Sequence, residues 1–118
     1  MRVIVTGSRD WTDRQAIRNR LRELVTAHPN EEITIVQGGA RGADSIAYQE
    51  AERMKLQSET HKANWERYGK AAGPIRNNHM AGLGADLCLA FRQEGSRGTQ
   101  NMIETARKRG IPVEVIEG

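Results

Sequence analysis

The sequence predicts an α/β fold in three layers, with a five-stranded parallel sheet between two layers of helices. The first observation is that short apolar runs alternate with segments of helical period along the chain, as in βαβ units. The second is the length of 118 residues, of which 37% are hydrophobic and 28% charged. These values fit one hydrophobic core and exclude general disorder. We therefore assign residues 1–118 to a single domain.

Five segments have the composition of β-strands: residues 3–5, 33–36, 56–61, 87–91 and 113–116. The third contains Glu59 and the fifth contains Glu114, whereas the other three are almost continuously apolar. Because strands covered by helices on both faces are apolar, we expect the third and fifth strands at the edges of the sheet. The predicted strand order is 3-2-1-4-5, with the first strand in the centre.

Four helices are predicted between these strands. Three of them carry stripes at helical spacing, which are Ile17, Leu21, Leu24 and Val25, then Ala43, Ile46, Ala47, Ala51 and Met54, and then Ile75, His79, Met80 and Leu83. Pro74 is predicted at the first position of the third helix, where proline is favoured. The fourth helix covers residues 99–109 and ends before Gly110.

Three glycine-rich loops are expected to meet at the carboxyl edge of this sheet. Ligands bind such folds where the strand order reverses, which here lies between the first and fourth strands. Residues 7–11 and 92–99 follow these two strands, residues 38–44 follow the second, and each loop contains arginine and leads into a helix. Glycine, helix N-termini and arginine together favour phosphate. The alternative for any one of these loops is a simple tight corner.

The charges near this edge favour an anionic ligand. The predicted topology places seven cationic side chains there, which are Arg9, Arg41, Arg67, Lys70, Arg76, Arg92 and Arg97. It also places four acidic side chains there, which are Asp10, Asp44, Glu66 and Glu94. The excess of cations equals the net charge of the whole chain, +3.

A stretch without predicted structure, residues 63–73, precedes the third helix, and stretches of this length are usually functional or mobile. Trp65 and Tyr68 are candidates for stacking on a base and Lys70 for a phosphate contact, while the alternative is that both rings pack down a surface loop. The predicted ligand-binding residues of the whole chain are Gly7, Ser8, Arg9, Gly38, Gly39, Arg41, Asp44, Trp65, Lys70, Arg76, Asn77, Gly98 and Thr99.

Four segments, in order, resemble the YspA-like branch of the SLOG superfamily: residues 5–11, 38–44 and 71–77, and the pair Gly98-Thr99. The similarity covers nearly the full chain. It implies a Rossmann-like fold and the binding of a nucleotide or nucleotide-derived ligand. Relatives include the Lonely Guy phosphoribohydrolases and the DNA-processing protein A family, which binds single-stranded DNA. The resemblance also implies a homo-oligomer.

The sequence departs from the Lonely Guy enzymes at a decisive position. These enzymes carry a Pro-Gly-Gly-x-Gly-Thr-x-x-Glu motif whose glutamate is linked to cleavage of the base–ribose bond. In the corresponding residues 94–102 the glutamate position holds Met102. A thioether cannot act as an acid or base, and Glu104 lies about 200° further round the helix. The same hydrolase mechanism is therefore not expected.

Asp44 is the remaining candidate for catalysis. It is predicted at a helix start beside Gly38 and Gly39, where an N-cap or an acceptor for a ribose hydroxyl is the favoured interpretation. No metal site is predicted, because His28, His61, His79 and Cys88 lack ligand spacing. No cofactor is predicted either, since there is no Gly-Lys-Ser/Thr loop and no Gly-x-Gly-x-x-Gly fingerprint.

Two further basic groups have structural interpretations. Residues 107–109 end a helix, where cations complement the helix dipole. Arg14, Arg18 and Arg22 are predicted to form a solvated helix face, with a border to a subunit or nucleic acid as the alternative.

Three functions follow from these observations. The leading hypothesis is the binding, for sensing or processing, of a phosphorylated nucleotide or nucleotide-derived small molecule at the carboxyl edge of the sheet. The second is N-glycosidic hydrolysis of such a nucleotide, and the third is single-stranded nucleic-acid binding, against which the aromatic content of 4% counts. One cysteine, no membrane-length apolar run and no room for a signal peptide predict a cytoplasmic protein without a membrane partner.

Overall fold

The computed structural model describes all 118 residues. Its strands are β1 (Arg2–Gly7), β2 (Thr34–Gln37), β3 (Gln57–Thr60), β4 (Leu87–Arg92) and β5 (Val113–Glu117). Its helices are α1 (Arg14–Ala27), α2 (Ala43–Arg53), α3 (Trp65–Tyr68), α4 (Ala72–Gly82) and α5 (Arg97–Lys108), with a 3-10 turn at Gly69–Ala71. All strand pairs are parallel and the order is β3-β2-β1-β4-β5, which confirms the prediction. None of the helices combines the length and apolarity needed to cross a bilayer.

The sheet separates two apolar layers, because successive side chains of a strand point to opposite faces. On one face Val3 and Val5 pack in the same cluster as residues of α1 and α2. On the other face Ile4 packs with Met80 of α4 and Met102 of α5. The central strands are apolar for this reason, and β3 and β5 keep partly exposed side chains at the edges. The predicted three-layer, Rossmann-like architecture is confirmed.

Helix α4 differs from its prediction in both its start and its buried face. It begins at Ala72, so Pro74 occupies the third position, which is tolerated because first-turn N–H groups lack partners within a helix. Ile75 and Leu83, predicted in the apolar stripe, are 42% and 50% exposed. The buried face contains Asn77 instead, since α4 meets the start of α5 through polar contacts. His79 is exposed as well, so of the four predicted stripe positions only Met80 is buried.

The stretch of residues 63–73 is largely helical, so the prediction of an unstructured segment was wrong. The Asn64 side chain accepts a hydrogen bond from the Arg67 N–H at 3.1 Å and caps α3. The 3-10 turn then leads directly into α4. A four-residue helix is too short to show a hydrophobic period, which explains why the pattern missed it.

Arg14 and Arg18 do not form the predicted solvated face, because both pair with Glu50 of α2. The Glu50 side chain is 1% exposed, and its oxygens lie 2.8 Å from Arg14 Nη1 and 2.6 Å from Arg18 Nε. The hydrogen bond from Arg18, supported by Arg14 and opposed by burial, lowers the pKa of Glu50 to about 2. These two ion pairs therefore fix α1 against α2. The third arginine of the predicted face, Arg22, is exposed.

Candidate functional site

A polar cleft of about 460 Å³ lies at the carboxyl edge of the sheet, where β1 and β4 run side by side. This is the point at which the strand order reverses, and the volume is typical of sites for small ligands. Of the predicted ligand-binding residues, those that line the cleft are Gly7, Ser8, Arg9, Arg41, Asp44, Trp65, Lys70, Arg76, Asn77, Gly98 and Thr99. Gly38 and Gly39 lie outside it, in an adjoining recess of about 390 Å³.

Two glycine-rich segments border the cleft: the β2 loop (residues 38–44) and the α5 entry (residues 94–99). In the β2 loop, Asp44 Oδ2 accepts hydrogen bonds from the N–H groups of Gly38 at 3.1 Å and Ala40 at 3.2 Å. The N-cap of α2 is Gly42, so the predicted capping role of Asp44 was wrong. Asp44 instead folds the loop that precedes its own helix.

The remaining contacts of the β2 loop are also internal. The Gly39 N–H donates to Gln37 Oε1 at 2.6 Å, and the Ala43 N–H donates to the Ser8 carbonyl oxygen at 3.1 Å. Gly42 has φ +77°, and a Cβ at this position would collide with the Ser8 carbonyl oxygen. Gly42 and the N–H groups of Gly38, Gly39, Ala40 and Ala43 therefore serve packing within the protein. The N–H groups of Arg41, Gly42 and Asp44 have no acceptor.

Asp44 is 5% exposed and lines the cleft. Burial raises the pKa of its carboxyl to about 6, although the N–H of Ala40 and the positive charge of Arg76 favour the ionised form. A carboxyl group that lies in a cleft and has a pKa near neutral pH is a feature of functional sites.

At the α5 entry the N–H groups of the first helical turn are free, whereas four N–H groups of the β2 loop are occupied. The side chain of the N-cap Ser96 accepts no hydrogen bond from an N–H of the helix, and its Oγ accepts one from the hydroxyl of Thr99 at 3.2 Å. The first helical bond joins the Gln100 N–H to the Ser96 carbonyl at 3.0 Å. The N–H groups of Arg97, Gly98 and Thr99 therefore have no acceptor. A Cβ at Gly98 would meet nothing within 4 Å, so the backbone there is accessible.

The cleft has more cationic than acidic side chains, but fewer of both than predicted. The cations are Arg9, Arg41, Lys70, Arg76 and Arg97, and the acids are Asp10, Asp44 and Glu94. Arg92 lies outside because it pairs with Glu117 and donates to Gln100 Oε1 at 2.8 Å. Arg67 lies outside as well, 5.1 Å above the ring of Tyr68. Glu66 does not line the cleft either.

Arg76 supports the base of the cleft. Its Nη1 donates to the carbonyl oxygens of Gly38 at 2.8 Å and His61 at 3.4 Å, and its Nε donates to Asn77 Oδ1 at 2.9 Å. No carboxylate lies within 4 Å of the guanidinium. Burial lowers the pKa of Arg76, a trend that the charge of Asp44 opposes. Arg76 therefore supports the loops and carries a positive charge with no carboxylate in direct contact.

Trp65 provides an aromatic wall. Its side chain is 49% exposed, and the Arg9 guanidinium carbon lies 5.4 Å from the ring centroid. The ring borders both the cleft and the adjoining recess. Tyr68, the second aromatic candidate, lines neither of them.

Asn101 is a cleft residue that the sequence analysis missed. Its Oδ1 accepts a hydrogen bond from Asn77 Nδ2 at 3.0 Å, and the same amide donates to the Gly98 carbonyl at 3.4 Å. Asn101 lies three residues after Gly98 and hence on the same side of α5. That spacing was the available signal. Asn77 is 3% exposed, so it links α4 to the α5 entry from beneath the cleft.

The position of the Lonely Guy glutamate lies in the apolar core. Met102 is fully buried between the sheet and α4. Glu104 does not line the cleft and accepts a hydrogen bond from Gln100 Nε2 at 3.3 Å. The carboxyl group that does reach the cleft from a buried position is Asp44, on the opposite wall.

Comparisons with known proteins agree with this architecture. The model of the YspA, cpYpsA-related SLOG family matches residues 1–68. The Gene 61 protein of Mycobacterium phage D29 is 44% identical over 117 residues, which cover 95% of this chain and 93% of that protein.

Two solved structures share the fold. DNA processing protein A from Helicobacter pylori, described for its single-stranded DNA binding mode, superimposes with a TM-score of 0.67 at 22% identity. The match covers 98% of this chain and 64% of that one. The protein TM1055 superimposes with a TM-score of 0.64 at 17% identity, over 95% of this chain and 71% of that one.

Proposed function

Because the chain belongs to the YspA, cpYpsA-related SLOG family, we propose that its cleft binds the phosphate group of a nucleotide or nucleotide-derived small molecule. One observation carries the proposal: the unpartnered N–H groups of Arg97, Gly98 and Thr99 open into a cleft with an excess of cations. Helix N-termini with free N–H groups bind phosphate through hydrogen bonds and the helix dipole.

The roles of the surrounding side chains follow from their exposure. Arg9, Lys70 and Arg97 are exposed and line the cleft, so they are free to meet a phosphate. Hydrogen bonds to charged groups contribute about 1.5–3 kcal/mol each. Three such bonds supply about 5–9 kcal/mol before ordering costs, which is sufficient for roughly micromolar affinity. The exposed face of Trp65 is the place for the base.

The β2 loop has a supporting role in this proposal. The N–H groups of Gly38, Gly39 and Ala40 already donate to Asp44 and Gln37, so these three residues offer no backbone donor to a ligand. Arg41 is its exposed cation, and Asp44 faces the cleft from a buried position. We assign Asp44 to a ribose hydroxyl, because a carboxylate repels phosphate and accepts hydrogen bonds from hydroxyl groups.

The first experiment is mass spectrometry of the purified protein under native and denaturing conditions. A nucleotide released on denaturation supports the proposal and identifies the ligand. Calorimetric titration with AMP then compares Arg97→Ala with Arg107→Ala, which removes the same side chain from the other end of α5. Arg97→Ala should weaken binding by about tenfold, the equivalent of one charged contact. Equal affinities of the two variants, or no binding across a nucleotide panel, would contradict the proposal.

Hydrolysis of the bound nucleotide is the second candidate, favoured by the raised pKa of Asp44. A carboxyl group with a pKa of about 6 is suited to proton transfer near neutral pH. Asp44→Asn keeps one oxygen to accept from Gly38 and Ala40 but removes the titrating group. If Asp44→Asn releases base from a nucleotide at an unchanged rate, Asp44 is not the catalytic group. If the variant loses turnover and still binds the nucleotide, the catalytic role of Asp44 is supported.

Single-stranded DNA is the third candidate, because the similar fold of DNA processing protein A was described with this ligand. The salt dependence of binding separates it from a small nucleotide. An oligonucleotide site that contacts several phosphates shows a logarithmic salt slope of about −0.7 per phosphate. A salt slope whose magnitude is below about one favours the small ligand, provided that AMP also binds more tightly than an oligothymidylate.

A further inference from the structure

The recess beside the cleft has an unusual charge distribution. Its cationic residues are Arg9, Arg41, Lys62 and Arg76, and no acidic residue lines it. The main cleft, in contrast, contains three acidic residues. Of these four cations only Arg41 has a carboxylate within 4 Å, which is that of Asp10 at 3.8 Å, outside the recess. The mutual repulsion of the other three therefore favours the binding of an anion.

Lys62 is held at this recess by the backbone beneath it. Gly39 has φ +72°, and a Cβ at this position would lie 3.1 Å from Lys62 Cγ. The aliphatic stem of Lys62 therefore lies along the Gly39 backbone, and its ammonium group has no carboxylate within 4 Å. Because the Gly39 N–H already donates to Gln37, cationic side chains provide the attraction for an anion here.

The recess and the cleft are neighbours with a common wall. Arg9, Arg41, Trp65 and Arg76 border both of them, and the Arg9 guanidinium lies above the Trp65 ring. Lys62 borders only the recess, and Arg97 borders only the cleft. A ligand that follows the wall from the α5 entry to Lys62 passes the exposed face of Trp65.

We infer that the ligand is a nucleotide derivative with two separate phosphate groups, one at the α5 entry and the other in the recess beside Lys62. The inference rests on the proposed function, since it extends the same site. A monophosphate fills only one of the two positions. A second phosphate on the same molecule binds as an intramolecular event and gains affinity through its high effective concentration. We expect a gain of about tenfold or more, the equivalent of one charged contact.

The test is calorimetric titration of the full chain with AMP and with adenine nucleotides that place a second phosphate progressively further away. These probes are ADP, adenosine 3′,5′-bisphosphate and the dinucleotide pApA. At least one of them should bind about tenfold more tightly than AMP. Lys62→Ala should remove that gain and leave the AMP affinity unchanged. The matched control is Lys108→Ala, which removes a lysine from the far end of α5 and should change neither affinity.

The outcomes separate this inference from the proposed function. If AMP binds and no second phosphate improves its affinity, or if the gain survives in Lys62→Ala, the inference is wrong and the proposed function stands. If neither AMP nor the doubly phosphorylated probes bind, both are wrong. If an oligothymidylate binds more tightly than every probe, with a salt slope that indicates more than two phosphates, a single-stranded nucleic-acid site replaces the inference.

Discussion

The β2 loop and the α5 entry have similar sequences and different backbone contacts. Both are rich in glycine, contain arginine and lead into a helix at the carboxyl edge of the sheet. In the β2 loop, four of the seven N–H groups, including the first three, donate to acceptors within the protein. At the α5 entry, three successive N–H groups have no acceptor. Glycine content alone therefore does not identify an anion site.

The glycines of the two segments differ in the same way. A Cβ at Gly38 or Gly42 would collide with Arg76 or with the turn after β1, whereas a Cβ at Gly95 or Gly98 would meet nothing within 4 Å. The first pair allows parts of the protein to approach each other. The second pair leaves the backbone accessible from the cleft. The role of a glycine-rich segment therefore depends on whether its backbone contacts other parts of the protein or remains free for a ligand.

The largest expected effect tests the packing role of the β2 loop. Gly42→Ala should reduce the free energy of unfolding by about 3 kcal/mol or more, because backbone strain adds to the collision with Ser8. Gly95→Ala is the matched control, since Gly95 also has positive φ but no neighbour within 4 Å, and should cost about 1–2 kcal/mol. Urea unfolding of both variants measures the difference. Equal losses would show that the β2 loop is not tightly packed.

The second prediction concerns Asp44, which accepts hydrogen bonds from two N–H groups of the β2 loop. The folded-state pKa of Asp44 is raised to about 6 from 3.8, so its contribution to stability is complete below about pH 4 and lost as the pH rises through 6. Asp44→Asn removes this titration. Its stability relative to the natural protein should therefore rise between pH 4 and 7, by about 3 kcal/mol.

Thermal or urea unfolding across this pH range measures that difference. Glu50 contributes with the opposite sign, because its pKa is lowered to about 2 and its stabilisation is lost as the pH falls below 4.5. Both proteins contain Glu50, so its effect cancels in the comparison. A constant difference between the two proteins across the range would show that Asp44 does not titrate near pH 6.

The smallest expected change in stability has the opposite sign. Gly98→Ala should stabilise the protein by about 0.5–1 kcal/mol, because alanine is favoured over glycine in a helix and its Cβ would meet no neighbour. The same methyl group would stand between a phosphate and the backbone, so AMP should bind about tenfold more weakly. Calorimetry and urea unfolding measure the two effects. If the variant is more stable and binds AMP with unchanged affinity, the phosphate does not lie at Gly98.

The sequence predicted the framework of the site because the framework depends on local composition. Polar residues in the third and fifth strands placed them at the sheet edges, and this order brought the loops after β1, β2 and β4 together. The resulting cleft contains Arg9, Arg41 and Arg97 as expected. Hydrophobic pattern and turn chemistry were sufficient for these features.

The details that the sequence could not provide depend on contacts between distant elements. Glu50 lies on α2, so the spacing of Arg14 and Arg18 on α1 did not reveal it. The sequence predicted Arg92 at the cleft because its ion pair with Glu117, which lies on another strand, cannot be read from the local pattern. For the same reason, the pattern of the β2 loop did not show that Asp44 and Gln37 already occupy three of its N–H groups.

We propose that phosphate binds the backbone N–H groups of the α5 entry and not those of residues 38–40 in the β2 loop. Titration of the ¹⁵N-labelled protein with AMP, followed by amide chemical shifts, tests it residue by residue. We expect the amide protons of Arg97, Gly98 and Thr99 to shift downfield as they form hydrogen bonds, while those of Gly38, Gly39 and Ala40 stay nearly unchanged. Large downfield shifts in the β2 loop with an unchanged α5 entry would contradict it.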